Sequence, residues 1–140
     1  MLNIMKVAVG VSTIEQLKKI NKAYALENNG YPYTLTRSPP KQIKNILNGG
    51  SLYRVIKGVL CCRQLINDFI PSTRQDGRAC IKIILEPEII LTYSVTCKPF
   101  QGWRYLKTDQ APQDLETLHN ISLPTMPESL KRTLIELRLI

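Results

Sequence analysis

A chain of 140 residues, 44% hydrophobic and 21% charged, is long and apolar enough for one self-sufficient domain and excludes wholesale disorder. Nineteen Lys and Arg against 11 Asp and Glu give +8, a balance that selects polyanionic partners: nucleic acid, an acidic membrane surface or phosphorylated ligands. No stretch approaches the roughly 18 apolar residues of a membrane span. Lys6 interrupts an apolar start that has no basic segment before it, which excludes an ordinary signal peptide, so a cytoplasmic protein is expected.

"NIMKVAVGV" reads as a short buried strand. Ser12 and Glu15, three apart, form a capping box that predicts a helix over residues 13–27, with Ile14, Leu17, Ile20 and Tyr24 inward. "NNG" at 28–30 ends it. "YPYTLTR" is a second extended piece, and Ser38-Pro39-Pro40 starts a short helix with Ile43, Ile46 and Leu47 inward, closed by "NGG". Residues 51–69 are strand-like with a bend at Gly58, "PSTRQDGRA" is a hairpin tip, and "CIKIILEP" and "EIILTYSVT" are two more strands. Pro87, with no N–H to donate, breaks the ladder between those two. Beyond residue 107 a short acidic helix is expected. A second capping box, Thr125 to Glu128, precedes a helix with Leu130, Leu134 and Leu137 on one stripe.

These elements predict one α+β domain: a small, mostly antiparallel, partly closed β-barrel with helices near both ends. An open sheet covered on one face by helices is the competing architecture. Cys61, Cys62, Cys80 and Cys97 contain no CxxC pair, and His119 lies far off in sequence. Adjacent cysteines on a strand point to opposite faces, so all four read as reduced buried fillers, with neither metal nor cofactor expected.

The charge is segregated. Residues 28–67 hold no acid but contain Arg37, Lys41, Lys44, Arg54, Lys57 and Arg63; residues 89–108 hold no acid but contain Lys98, Arg104 and Lys107. The two windows sum to +9 and the rest of the chain to −1. Folded onto one face, they form a patch suited to a phosphate backbone. Arg54, Lys57 and Arg63 interrupt an otherwise core-like run, where a cation either snorkels to a rim or lines a groove. Strand alternation puts Tyr53 and Lys57 on one face, spaced for a base and a phosphate. "KPFQGWRYLK" places the single tryptophan, Trp103, beside Arg104 and Lys107, in a loop that reads as a corner of the core presenting cations.

"GGSLYRVIKGVLCCRQLI", "KPFQGWRYLKTDQAPQDL" and the "KVAVG" start resemble an uncharacterised alphaproteobacterial domain-of-unknown-function family over nearly the whole chain. That family's first block reads closer to "GGSIYWVIKG", and this chain carries Leu52 and Arg54 there, losing the aromatic at 54. The resemblance implies a bacterial, cytoplasmic protein and no established activity. More loosely, the helix ending in "NGG", then strand, Lys-Gly bend and strand, is similar to the PUA and ASCH group of small β-barrels. That similarity implies RNA or modified nucleotides bound in a cleft.

The leading expectation is a non-enzymatic RNA-binding module, with tRNA and rRNA among the candidate partners. Arg37, Lys41, Lys57, Arg63 and Arg104 would contact phosphates, and Tyr53 or Trp103 would stack. The alternative is a small enzyme acting on a nucleoside or nucleotide near Lys57, with Thr36 or Tyr53 beside it and Glu86 or Glu88 as the acid–base partner. A third class is a protein-interaction subunit that docks through the C-terminal helix.

Overall fold

In the computed structural model, which describes residues 2–115, β1 (Leu2–Val7) pairs in parallel with β3 (Ser51–Ile56). A parallel pair needs a long crossover. Here it is supplied by α1 (Ile14–Glu27), β2 (Tyr33–Thr36) and the short α2 (Ile43–Leu47). The remaining pairings are antiparallel. The long β4 (Val59–Thr73) follows β3 across a tight hairpin, β5 (Ala79–Leu85) and β6 (Ile90–Thr96) both pair with β4, and β7 (Trp103–Lys107) pairs with β1. The result is a seven-stranded sheet in the order β2-β5-β4-β3-β1-β7, with β6 joined to β4. The domain is α+β. Its sheet is not closed: β2 and β7 share no ladder. Where the acidic helix is expected to begin, residues 108–115 instead hold a 3-10 turn at Thr108–Gln110 and a bridge from Asp114 to Thr92; the last expected helix lies outside the described residues.

Pro87 sits between β5 and β6, which do not pair with each other. β5 runs along Ile66–Thr73 of β4 and β6 along its beginning, Val59–Arg63, so the proline interrupts one long antiparallel run beside a single partner. At the break, Gln64 holds the chain by donating to the Glu86 carbonyl at 3.0 Å.

Four local expectations need correction. Trp103, Arg104 and Lys107, expected in a loop, lie on a regular strand, β7, because its backbone pairs with β1 once Gly102 is passed. The helix cap falls one residue later than Ser12: the Thr13 hydroxyl accepts from the Gln16 amide at 3.1 Å, and the Gln16 side chain accepts from the Ser12 amide. Lys57 is not a strand residue. With Gly58 it forms a two-residue hairpin in which both φ values are positive, 50° and 74°, the geometry that matches the twist of the flanking strands. Cys61 and Cys62 do not face opposite sides. The register jumps from Arg54↔Cys62 to Val55↔Leu60, leaving Cys61 as the extra residue of a bulge, and both thiols enter one apolar cluster with Ala8, Val11, Leu17 and Ile56.

The main core is Ile4, Ile46, Leu52, Ile66, Ile83 and Leu85. Gly50 lets α2 sit on the sheet, because a Cβ there would collide with the carbonyl oxygens of Leu2 and Ile46. Of the apolar face expected on α1, Leu17 is buried but Ile20 and Tyr24 are not. What turns inward with Leu17 is Asn21, whose amide donates to the buried Gln64 side chain at 3.0 Å.

Candidate anion site

The strand registers place side chains in rows across the sheet. Tyr105, Ile4, Leu52 and Gln64 form one row on the inner face, the face that carries the core. One pleat further along the same strands, the row is Trp103, Lys6, Arg54 and Cys62. Neighbouring strands lie about 5 Å apart, so Lys6 and Arg54 stand side by side where the apolar core gives out.

Arg54 is 6% exposed, and its Nε has no hydrogen-bond acceptor among the described residues. Arg74, from the β4–β5 hairpin, also has a buried, unsatisfied Nε. The ion pairs among the described residues are Arg63–Asp114 and Arg78–Asp76, and neither involves Lys6, Arg37, Arg54 or Arg74. Burial pushes the Arg54 guanidinium down to about 10, which leaves it charged at neutral pH. Its cross-strand neighbour Cys62 offers no negative charge: the hydrogen bond with Cys61 and burial hold that thiol far above its ordinary range. Burial lowers Lys6 to about 8, and repulsion from Arg54 and Arg74 adds to the shift. A cation withdrawn from water without a partner costs on the order of several kcal/mol. A site that strands several together is built for an anion.

Three adjoining hollows open there. The innermost, about 220 Å³, is lined by Arg54, Lys6 and Val9 and walled by Leu17, Ile20, Asn21 and Tyr24 of α1 and by Tyr33 of β2. Lys6 and Val9 also line a cleft of about 690 Å³ with Thr36, Arg37, Arg74 and Trp103. Arg74 and Leu35 carry that cleft into a third hollow of about 730 Å³, bordered by Tyr24, Tyr33 and Lys82. The Tyr24 and Tyr33 rings lie 4.8 Å apart, with the Lys82 ammonium 4.3 Å over Tyr33. The two carboxylates lining this end are occupied: Glu27 accepts from the Tyr33 hydroxyl, and Asp76 pairs with Arg78.

The acid-free windows do meet here. Trp103 Nε1 donates to the Ser38 carbonyl at 2.8 Å, and the Tyr105 hydroxyl accepts from the Lys41 and Gln42 amides at 2.9 and 3.3 Å. Arg37 and Trp103 share the wide cleft. Trp103 also packs against the core and stands edge-on to Tyr105, so it is both anchor and wall. Lys41 is exposed beside this contact, and Lys107 is exposed at the far end of β7.

The other expected residues are elsewhere. Tyr53 is 6% exposed and points to the opposite face, packed with Val55, Leu60 and Leu106. Arg63 shares that face and is held by Asp114 through Nε and Nη2, at 2.8 and 2.7 Å, and by the Ser51 hydroxyl at 2.7 Å. Arg104 lies over the Phe100 ring. Lys57 is exposed at its hairpin tip. Of its two expected acid–base partners, Glu86 accepts from Asn67, eight residues along β4 from Val59, and Glu88 lies near enough to act on Arg63, so neither carboxylate is placed with the Lys57 amine. Sequence reasoning missed Lys6 and Arg74, which lie outside both windows. Arg54 carried a signal, being a cation inside an apolar strand, but it was not placed in the site.

Among the described residues no helix is long and apolar enough to cross a membrane. No curated protein and no solved structure matches the chain. A family model described as a protein of unknown function, DUF1489, matches residues 4–140. The residues that line this cationic groove, from Lys6 to Trp103, all fall within that match, and the chain belongs to the DUF1489 family.

Proposed function

We propose that this protein is a non-enzymatic module that binds single-stranded segments of RNA along the inner face, with tRNA and rRNA as candidate sources of such segments. The observation that carries the reading is Arg54, buried and unpaired beside Lys6 at the head of a groove that also holds Arg37, Arg74 and Lys82. Trp103, Tyr24 and Tyr33 border the same groove. Cations that track a backbone and aromatic rings that receive bases are the means by which single strands are held without sequence reading. A duplex or a flat membrane surface would meet the rim and leave Arg54 unsatisfied.

The test is binding of a fluorescent single-stranded RNA and of a duplex across a salt series. Wild type should prefer the single strand, with affinity falling steeply as salt rises because each neutralised phosphate releases counterions. Arg37→Ala and Arg74→Gln should each weaken binding and flatten the salt slope, whereas Arg104→Ala should not. Equal loss in Arg104→Ala would move the interface to the other face, and no single-strand affinity at low salt would remove the proposal.

A further inference from the structure

We infer that the innermost hollow is a receptor for a terminal phosphomonoester, so that the groove takes its RNA by a phosphorylated end. This rests on the RNA reading above and adds what the site selects. The hollow is small, about 220 Å³, and lies against Arg54 and the apolar and amide side chains of α1. It shares Lys6 and Val9 with the wide cleft, which places the cleft at its mouth. A phosphodiester inside a chain must be followed by more chain on both sides, and a hollow of this size has no room for both. A terminal phosphate enters alone.

Charge points the same way. A phosphomonoester carries about −1.5 to −2 at neutral pH and three acceptor oxygens, against a single negative charge on an internal diester. Among the described residues Lys6 and Arg54 line the hollow without a carboxylate, Arg74 lines the cleft at its mouth close enough to repel Lys6, and both arginines carry a buried nitrogen lacking an acceptor. The guanidinium groups supply the fork geometry that phosphate oxygens accept. Behind the phosphate, the first nucleoside would lie in the cleft beside Trp103 and Arg37.

The experiment compares one short single-stranded RNA as 5′-phosphate, 3′-phosphate and dihydroxyl forms, with a nucleoside monophosphate and inorganic phosphate as competitors. Proteins are wild type, Arg54→Met and Lys6→Met, each checked for intact unfolding cooperativity. One phosphorylated form should bind wild type about tenfold or more tightly than the dihydroxyl form, as a charge-assisted contact implies. Arg54→Met should shrink that ratio to below about twofold, weakening the phosphorylated RNA far more than the dihydroxyl RNA. Should all three RNAs bind equally, the end receptor is overturned and RNA binding stands. If the monophosphate binds with the same dependence on Arg54 but no RNA does, the receptor stands and its ligand is a free nucleotide. No binding by any of them overturns both.

Discussion

Arg54 and Arg63 sit on adjacent strands of the same sheet and face opposite sides, and their surroundings differ in kind. On the outer face Arg63 has its guanidinium closed by Asp114 and Ser51, within 2.8 Å at every contact. On the inner face Arg54 has no hydrogen-bond or ion-pair partner among the described residues, and it is more deeply buried. An arginine whose bonds are complete within the fold serves to fasten the chain, here by docking the 111–115 segment against β6, where Tyr93 donates to the Gln113 carbonyl at 2.9 Å. An arginine left incomplete weakens the fold, and its place is explained by something that comes from outside.

The sharpest way to break this contrast is to replace each arginine by methionine and measure unfolding in urea. Arg63→Met strands the Asp114 carboxylate and the Ser51 hydroxyl, and should cost about 2–3 kcal/mol. Arg54→Met removes a buried charge that nothing compensates, and should stabilise by about 1–2 kcal/mol. Opposite signs for the same substitution are required. If Arg54→Met destabilised as much as Arg63→Met, Arg54 would be a structural residue and the inner face would lose its claim to be a site.

A second contrast lies in pH. The folded-state value of Lys6 is lowered to about 8, chiefly by burial and further by Arg54 and Arg74, from an ordinary 10.5. Between those values the unfolded chain binds more protons at this position than the folded one, so stability rises with pH across about 8 to 10.5. Below that window the charged amine is a standing penalty. Comparing unfolding free energies at pH 7.5 and 10 should show the Lys6 contribution as a rise present in wild type and missing in Lys6→Met. In Arg54→Met one repulsive neighbour is gone, so the rise should begin at higher pH. Anion affinity should move the opposite way, falling as pH passes about 8. A rise of equal size in wild type and Lys6→Met would show that the amine is not confined as described.

What could be read from the sequence divides along physical lines. Most strands, the presence of both central helices and the burial of Ile46 on α2 followed from periodicity, which is local; β7, expected as a loop, and the start of α2, expected at Ser38, did not. The α+β class followed as well, since it needs only the order of elements. The site did not, because it depends on which strands become neighbours. Lys6 and Arg54 are 48 residues apart in sequence and meet only through the β1–β3 parallel pairing. Arg74 arrives on a hairpin tip, where a cation has no periodicity to betray it. Counting charge by window favoured Arg63 and Arg104 because acid-free sequence does not mean acid-free surroundings. Asp114 lies outside both windows and neutralises Arg63 all the same. Cys61 shows the same limit at short range: a single bulge reversed the alternation on which its expected orientation rested.

The mildest test concerns Lys57, which charge and alternation had joined to Tyr53. Its φ of 50° lies in the left-handed region, where a lysine is tolerated but asparagine is preferred, above all before glycine in a two-residue hairpin. Lys57→Asn should therefore stabilise by about 0.5 kcal/mol, a gain drawn from the turn alone. It also removes one positive charge from the tip, while Lys6, Arg54 and Arg74 keep their surroundings. A urea midpoint that rises slightly, with single-strand affinity unchanged within about twofold at moderate salt, would confine binding to the groove. A marked loss of affinity in this more stable variant would extend the interface to the hairpin tip, and the inner-face boundary drawn here would have to be moved outward to include it.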